Sequence, residues 1–174
     1  ARQEALNRGL AIDFTVADMR ECTDDQIGEF DVVLSADNSI PHLHGFSEIA
    51  KALQGFFKRL RPGGITLVGV RDYAQENNRM SPQMRPYGFR EHGGHRYFVF
   101  QTRDYFDDGY EVALYFVRQV TSNLPSKVTA GVSRYYFIDV DQLIALFIEA
   151  GFEDVHRLDN VMFQPTVVGR RPVP

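Results

Sequence analysis

The side chains best placed to do chemistry in this 174-residue chain fall at three places. The first is Phe30 to Leu43, FDVVLSADNSIPHL, where an apolar run through Val32, Val33 and Leu34 passes straight into Ser35, Asp37, Asn38, Ser39 and His42. An apolar run of this kind predicts a strand buried on both faces. In an open α/β sheet, ligands bind in the crevice beyond the carboxyl ends of the strands. The same residues also suit a plain turn or a helix N-cap. The second place is Arg71, directly after the apolar run Ile65 to Val70, whose planar fork suits bidentate capture of a carboxylate; a salt bridge to Asp72 is the competing use. The third is Asp18 with Met19, a carboxylate acceptor beside a soft thioether at the end of the run Leu10 to Ala17. A turn acceptor and a core filler would account for that pair equally well.

Other chemistries find less support. His92-Gly-Gly-His95 lacks an accompanying Cys or carboxylate pattern, so no metal site is predicted there. Cys22, the single cysteine, has only Arg20 as a basic neighbour and reads as a passive thiol. Neither a GxSxG elbow, a Walker loop nor an HExxH helix occurs.

These residues need elements to position them. Ala1 to Arg8 reads as the tail of a helix closed by Gly9, and Leu10 to Val16 as a strand. Asp24 to Gly28 is a short turn and Asp31 to Ser35 the next strand. Phe46, Ile49, Ala50, Leu53, Phe56, Phe57 and Leu60 recur at helical spacing, and Pro62-Gly63-Gly64 stops that helix. Ile65 to Val70 is a further apolar strand, which makes the first part a parallel α/β sheet. Tyr73 to Gly94 has no sustained period and reads as a long loop or lid. Tyr97 to Thr102 and Tyr110 to Val120 form a hairpin through Asp107-Asp108-Gly109, and Val132 to Ile138 adds a strand. Asp139 caps a helix ending at Gly151, and Val155 to Leu158 pairs with Thr166 to Val168. One domain over residues 1–174, with a lid and antiparallel β insertion at 73–138, is the expected organisation.

Composition bounds the partners. A 44% hydrophobic chain of this length supplies a real core, and a formal net charge of −4 argues against nucleic acid as the main partner. No apolar run is long enough to span a bilayer and no secretory leader is visible. The expectation is a cytoplasmic protein whose partner is a small molecule, with a homo-oligomer left open.

The order VADM, FDVVLSADNSIPHL, RLRPGG, VRDY and EAGF resembles a class I S-adenosylmethionine-dependent methyltransferase with its Rossmann-like fold. Within that superfamily NSIPHL, the Arg71-Asp72-Tyr73 triplet and SRYYF are similar to glycine and sarcosine N-methyltransferases. The resemblance implies S-adenosyl-L-methionine as cofactor, held by Asp18 and Met19 at the adenine, by the Ala36 carbonyl at the amino group and by His42 near the methionine end. It implies Asn38, Arg71 and Tyr135 as substrate ligands, Tyr135 being preferred to Tyr136. No catalytic side chain is assigned, because a sulfonium methyl is already activated. The reaction implied is methyl transfer to the amine of an amino acid or related carboxylate-bearing molecule. A small-molecule O-methyltransferase and a non-catalytic assembly domain are the alternatives. The family's glycine-rich turn and ribose-binding acid have no counterpart here, so the chain reads as N-terminally incomplete and, alone, as a poor binder of the cofactor.

Overall fold

The computed structural model describes residues 1–21, 29–75, 82–119 and 125–174. Cys22 and the turn expected at Asp24 to Gly28 lie outside them. Two four-stranded sheets organise the described residues. The first takes β1 (Phe30–Ser35), β2 (Leu60–Gly69), β7 (Glu153–Leu158) and β8 (Thr166–Arg170) in the order β1-β2-β8-β7. Only β1 and β2 run parallel; β8 is antiparallel to both of its neighbours, so the expected parallel sheet is a mixed one. The second is a meander of β3 (Gln83–His92), β4 (His95–Phe106), β5 (Gly109–Gln119) and β6 (Lys127–Tyr136), every pair antiparallel.

The helices follow from local signals. α1 (Arg2–Asn7) stops where Gly9 takes φ 65°, as its position predicted. α2 (Phe46–Arg59) turns Ile49, Ala52, Leu53 and Phe56 inward, and its basic last turn, Lys58 and Arg59, suits the negative end of the helix. Leu60 then becomes extended, so β2 begins before the Pro-Gly-Gly rather than after it. α3 (Val140–Glu149) opens with a capping box: Gln142 N–H donates to the Asp139 carboxylate at 2.8 Å and the Asp139 N–H donates to Gln142 Oε1 at 3.0 Å. The core gathers Ile40, Leu53, Val68, Leu143, Phe147 and Val167 between the helices and the first sheet.

Three expectations fail for identifiable reasons. Leu10 to Val16 forms no strand, because no ladder forms along it; Leu10 and Ile12 are each 52% exposed. The run Val32 to Leu34 is a strand but not one buried on both faces. Among the described residues β1 is an edge paired only with β2, which leaves Val32 51% and Leu34 57% exposed. Of the lid expected over Tyr73 to Gly94, residues 76–81 lie outside the described ones and most of the remainder is β3. Its edge position tolerates Pro86, which has no N–H to donate, and a register shift between Pro86 and Gly88 absorbs the irregularity. The His92-Gly-Gly-His95 segment is accordingly a tight hairpin turn and not a flexible loop.

Close packing beneath α3 depends on Gly169 in β8. A Cβ there would meet Phe147 Cδ1 at 2.6 Å and Phe152 Cβ at 2.9 Å, distances no flexible chain end can relieve. Gly169→Ala should destabilise the fold by about 1–3 kcal/mol, the usual range for overpacking, read as a lower urea midpoint at unchanged slope.

Candidate functional site

The loop after β1 bends through two consecutive non-glycine residues in the left-handed region, Asp37 at φ 56° and Asn38 at φ 59°. Such outliers persist only where surrounding bonds enforce them. Here Asn38 supplies those bonds. Its backbone N–H donates to the Gly69 carbonyl at 3.2 Å. Its side-chain carbonyl accepts from the Arg71 N–H at 2.8 Å, and its amide donates to the Tyr73 hydroxyl at 2.8 Å. The residue is 4% exposed, so the carboxyl ends of β1 and β2 are locked together by a buried amide.

From that amide a run of aromatic side chains crosses to the second sheet. The Tyr73 and Tyr110 hydroxyls are 3.4 Å apart. Tyr110 stacks on Tyr135 with centroids 5.0 Å apart, and the His42 ring lies 4.2 Å from that of Tyr135. Burial, with the neighbouring Tyr110 adding to it, pushes the Tyr73 phenol well above its ordinary range, so it stays neutral and keeps both donor and acceptor capacity.

Asn38, Arg71 and Tyr135 line one cavity of about 360 Å³ together with Asp37. Tyr136 instead packs edge-on against Phe46, at 5.7 Å between centroids. The Asp72 carboxylate is held by Arg157, whose Nη1 reaches Asp72 Oδ2 at 2.8 Å while its Nε holds Asp159 at 2.9 Å. The other half of the wall comes from the second sheet, through Arg85, Tyr87, Gln101, Arg103, Tyr110 and Val112. Arg85 and Tyr87 escape sequence reasoning because 83–92 reads as a loop; Gln101, Arg103, Tyr110 and Val112 lie in or beside expected strands whose facing side the sequence does not give. Their signal is the alternation Gln101, Arg103 and Tyr110, Val112 along β4 and β5, which puts each pair on one face.

The residues expected at a cofactor are more dispersed. Ala36 directly precedes the bend, and its carbonyl accepts from Ser39 Oγ at 2.6 Å. His42, exposed, reaches the cavity only through Tyr135. Asp18 and Met19 belong to a separate segment, a 3-10 turn over Met19–Glu21 held against α2. Met19 packs on the core, and the Asp18 carboxylate is gripped by Arg20, whose Nε lies 2.9 Å from Oδ1, while Arg20 also reaches Glu48 at 2.8 Å. The hydrogen bonds from Arg20 hold the Asp18 carboxyl down at about 2. Among the described residues no group of three or more His, Cys, Asp or Glu side chains could hold a metal, and no helix is long and apolar enough to cross a membrane.

No protein-family profile matches the sequence, and no curated protein sequence does. Solved structures do match. The sugar N-methyltransferase from Streptoalloteichus sp. superposes with TM-score 0.78 at 18% identity, over 97% of this chain and 66% of that one. An amino pentose methyltransferase from Micromonospora echinaspora gives TM-score 0.72 at 16% identity, over 89% and 63%. A methyltransferase dependent on S-adenosylmethionine from Clostridium acetobutylicum gives 0.76 at 11%, over 98% and 69%. At these identities the likeness is one of fold: the chain has the class I methyltransferase fold with an added antiparallel sheet. It spans 63% of the length of the amino pentose enzyme and 66% of that of the sugar enzyme.

Two outcomes follow from the geometry. Asn38→Ala should cost about 1–3 kcal/mol, since it removes the side-chain acceptor of the Arg71 N–H and the shorter of two hydrogen bonds at the buried Tyr73 hydroxyl, and denaturant unfolding reads that loss. Asp18 should titrate near pH 2 and return toward the ordinary value of 3.8 in Arg20→Ala, as followed by carboxyl carbon NMR. Because the folded value lies below the free one, the pair stabilises the fold above pH 3.8 and loses that contribution as pH falls toward 2.

Proposed function

We propose that this chain supplies the acceptor-binding part of an S-adenosylmethionine-dependent methyltransferase that methylates the amine of a small carboxylate-bearing molecule. The observation behind the reading is the convergence of Asn38, Arg71 and Tyr135 on one cavity beyond the carboxyl ends of β1 and β2. Two structural neighbours are described as an amino pentose methyltransferase and a sugar N-methyltransferase, which supports an amine as the accepting group.

The residues present are compatible with the cofactor. The Ala36 carbonyl has a second lone pair beyond the one used by Ser39, whereas the Asp18 carboxylate already accepts four hydrogen bonds from Arg20 and would have to exchange part of that grip for a purine amine. Ala36 and His42 would face the amino-acid end, Asp18 and Met19 the purine. When bound, S-adenosylmethionine supplies an activated sulfonium methyl. The chain's own work is alignment. Arg71 clamps the acceptor's carboxylate, Asn38 holds the Arg71 backbone in register, and Tyr135 with Tyr110 forms an aromatic wall that excludes water from the amine.

In the full-length protein, calorimetric titration with S-adenosylhomocysteine should show saturable binding. Arg71→Leu should retain that affinity while weakening carboxylate-bearing amines by about tenfold to a hundredfold, the worth of a charged hydrogen bond. Absence of S-adenosylhomocysteine binding sinks the methyltransferase reading; unaltered kinetics in Arg71→Leu removes the carboxylate clamp.

A further inference from the structure

A second cavity, of about 510 Å³, continues the first along the same face of the meander, and Tyr87, Gln101, Val112 and Tyr135 line both. Its floor is apolar. Val112, Leu114 and Phe116 alternate along β5, with Val99 opposite Phe116, so their side chains project to one side of the sheet. Phe116, at the end away from the first cavity, is left 39% exposed. Across from Leu114 on β6 stands Gly131, between Thr129 and Ser133 on that face. A glycine inside a strand weakens it, and is ordinarily explained by a bulge, a bend that needs its freedom, or the close approach of a second backbone or of a ligand. The first three explanations do not apply. The register of β5 and β6 runs unbroken through Gly131, its φ is not positive, and a Cβ built there would meet no atom within 4 Å. The polar groups at the border are engaged with other groups of the sheet: the Tyr87 hydroxyl and the Gln101 side chain are hydrogen-bonded at 2.7 Å, and Arg90 Nη1 donates to the Phe89 carbonyl at 2.8 Å.

We propose that the methyl acceptor carries an extended apolar chain that lies over Val112, Leu114 and Phe116, and that Gly131 sets how long that chain can be. The inference rests on the acceptor occupying the Asn38 cavity. With a carboxylate at Arg71 and an amine beside Tyr135, the four shared residues give the remainder of the molecule a continuous path into the second cavity. Laying an alkyl chain on this floor removes apolar surface of both partners from water, a gain that grows with the area covered. A polar chain would lose its hydration against the same aliphatic side chains. Gly131 is the position that determines specificity: having no side chain, it leaves the lane beside Leu114 open, and a leucine there would fill it.

The test uses the full-length protein without cofactor, titrated calorimetrically with alanine, norvaline, norleucine and α-aminooctanoate, which share one amine and one carboxylate and differ in alkyl length. Kd should fall about threefold to fourfold per added methylene, the worth of a buried CH₂. Gly131→Leu should flatten that slope and bring α-aminooctanoate to within about twofold of alanine, with the circular dichroism spectrum unchanged. Leu114→Asn, on the neighbouring strand, should flatten it as well and carries the test if the first variant does not fold. Equal Kd values across the series, no binding by α-aminooctanoate, or a slope that persists in a folded variant overturns the pocket. A flat series beside intact S-adenosylhomocysteine binding leaves the methyltransferase reading standing; a sloped series in a protein that does not bind S-adenosylhomocysteine sinks that reading and not the pocket.

Discussion

The buried amide of Asn38 is the constraint on which the rest of the site depends. Two residues in succession held at positive φ would relax unless something opposed them, and three of the opposing bonds are made by this one residue, beside the Ser39 hydroxyl that closes the bend onto the Ala36 carbonyl. They tie the end of β1 to the start of the segment that follows β2. Without them the Arg71 N–H would lose its side-chain acceptor, and Tyr73, 1% exposed, would keep only the longer contact to the Tyr110 hydroxyl. The strain is local and the payment is local.

The second sheet is docked on that amide through phenols. Tyr73, Tyr110 and Tyr135 each present an apolar ring to a neighbour, and the hydroxyls of the first two meet, so the contact between sheets is dry in the middle and polar at one end. A neutral Tyr73 matters here, because an ionised phenolate at that depth would demand a counter-charge. Charge is kept elsewhere, in the guanidiniums around the cavity and in the Arg157 bridge that fastens Asp72 to Asp159.

Much of the first layer was readable from the residues. The α2 stripe, the Asp139 cap and the Gly9 stop are decided by neighbours within a few positions, and each occurs where its local signal puts it. What was not readable depends on partners distant in the chain. Whether Val32 is buried is a question about the strand beside it, and whether Leu10 to Val16 is a strand at all is a question about a ladder. β3 was misread because Pro86, Gly88 and Gly93 resemble loop punctuation, and only its edge position and bulge accommodate them. The same loop-like reading hides Arg85 and Tyr87 of the cavity wall. Asn38 and Arg71 stand out by their placement after strands and Tyr135 only through the family resemblance, whereas Arg85, Gln101 and Arg103 emerge only from cross-strand register.

The division of the cavity between two sheets has a consequence for how such a protein can change over generations. The bend at Asn38 cannot be altered without disturbing the packed layer beneath it. The opposing wall is written on alternate positions of paired strands, so Val112, with Leu114 and Ser133 beside it on the same face, can be exchanged for larger or more polar side chains without touching the amide or the helices. One surface is therefore inherited as a unit while the other is free to drift, and a lineage could explore new molecules by rewriting a few alternating letters of the meander.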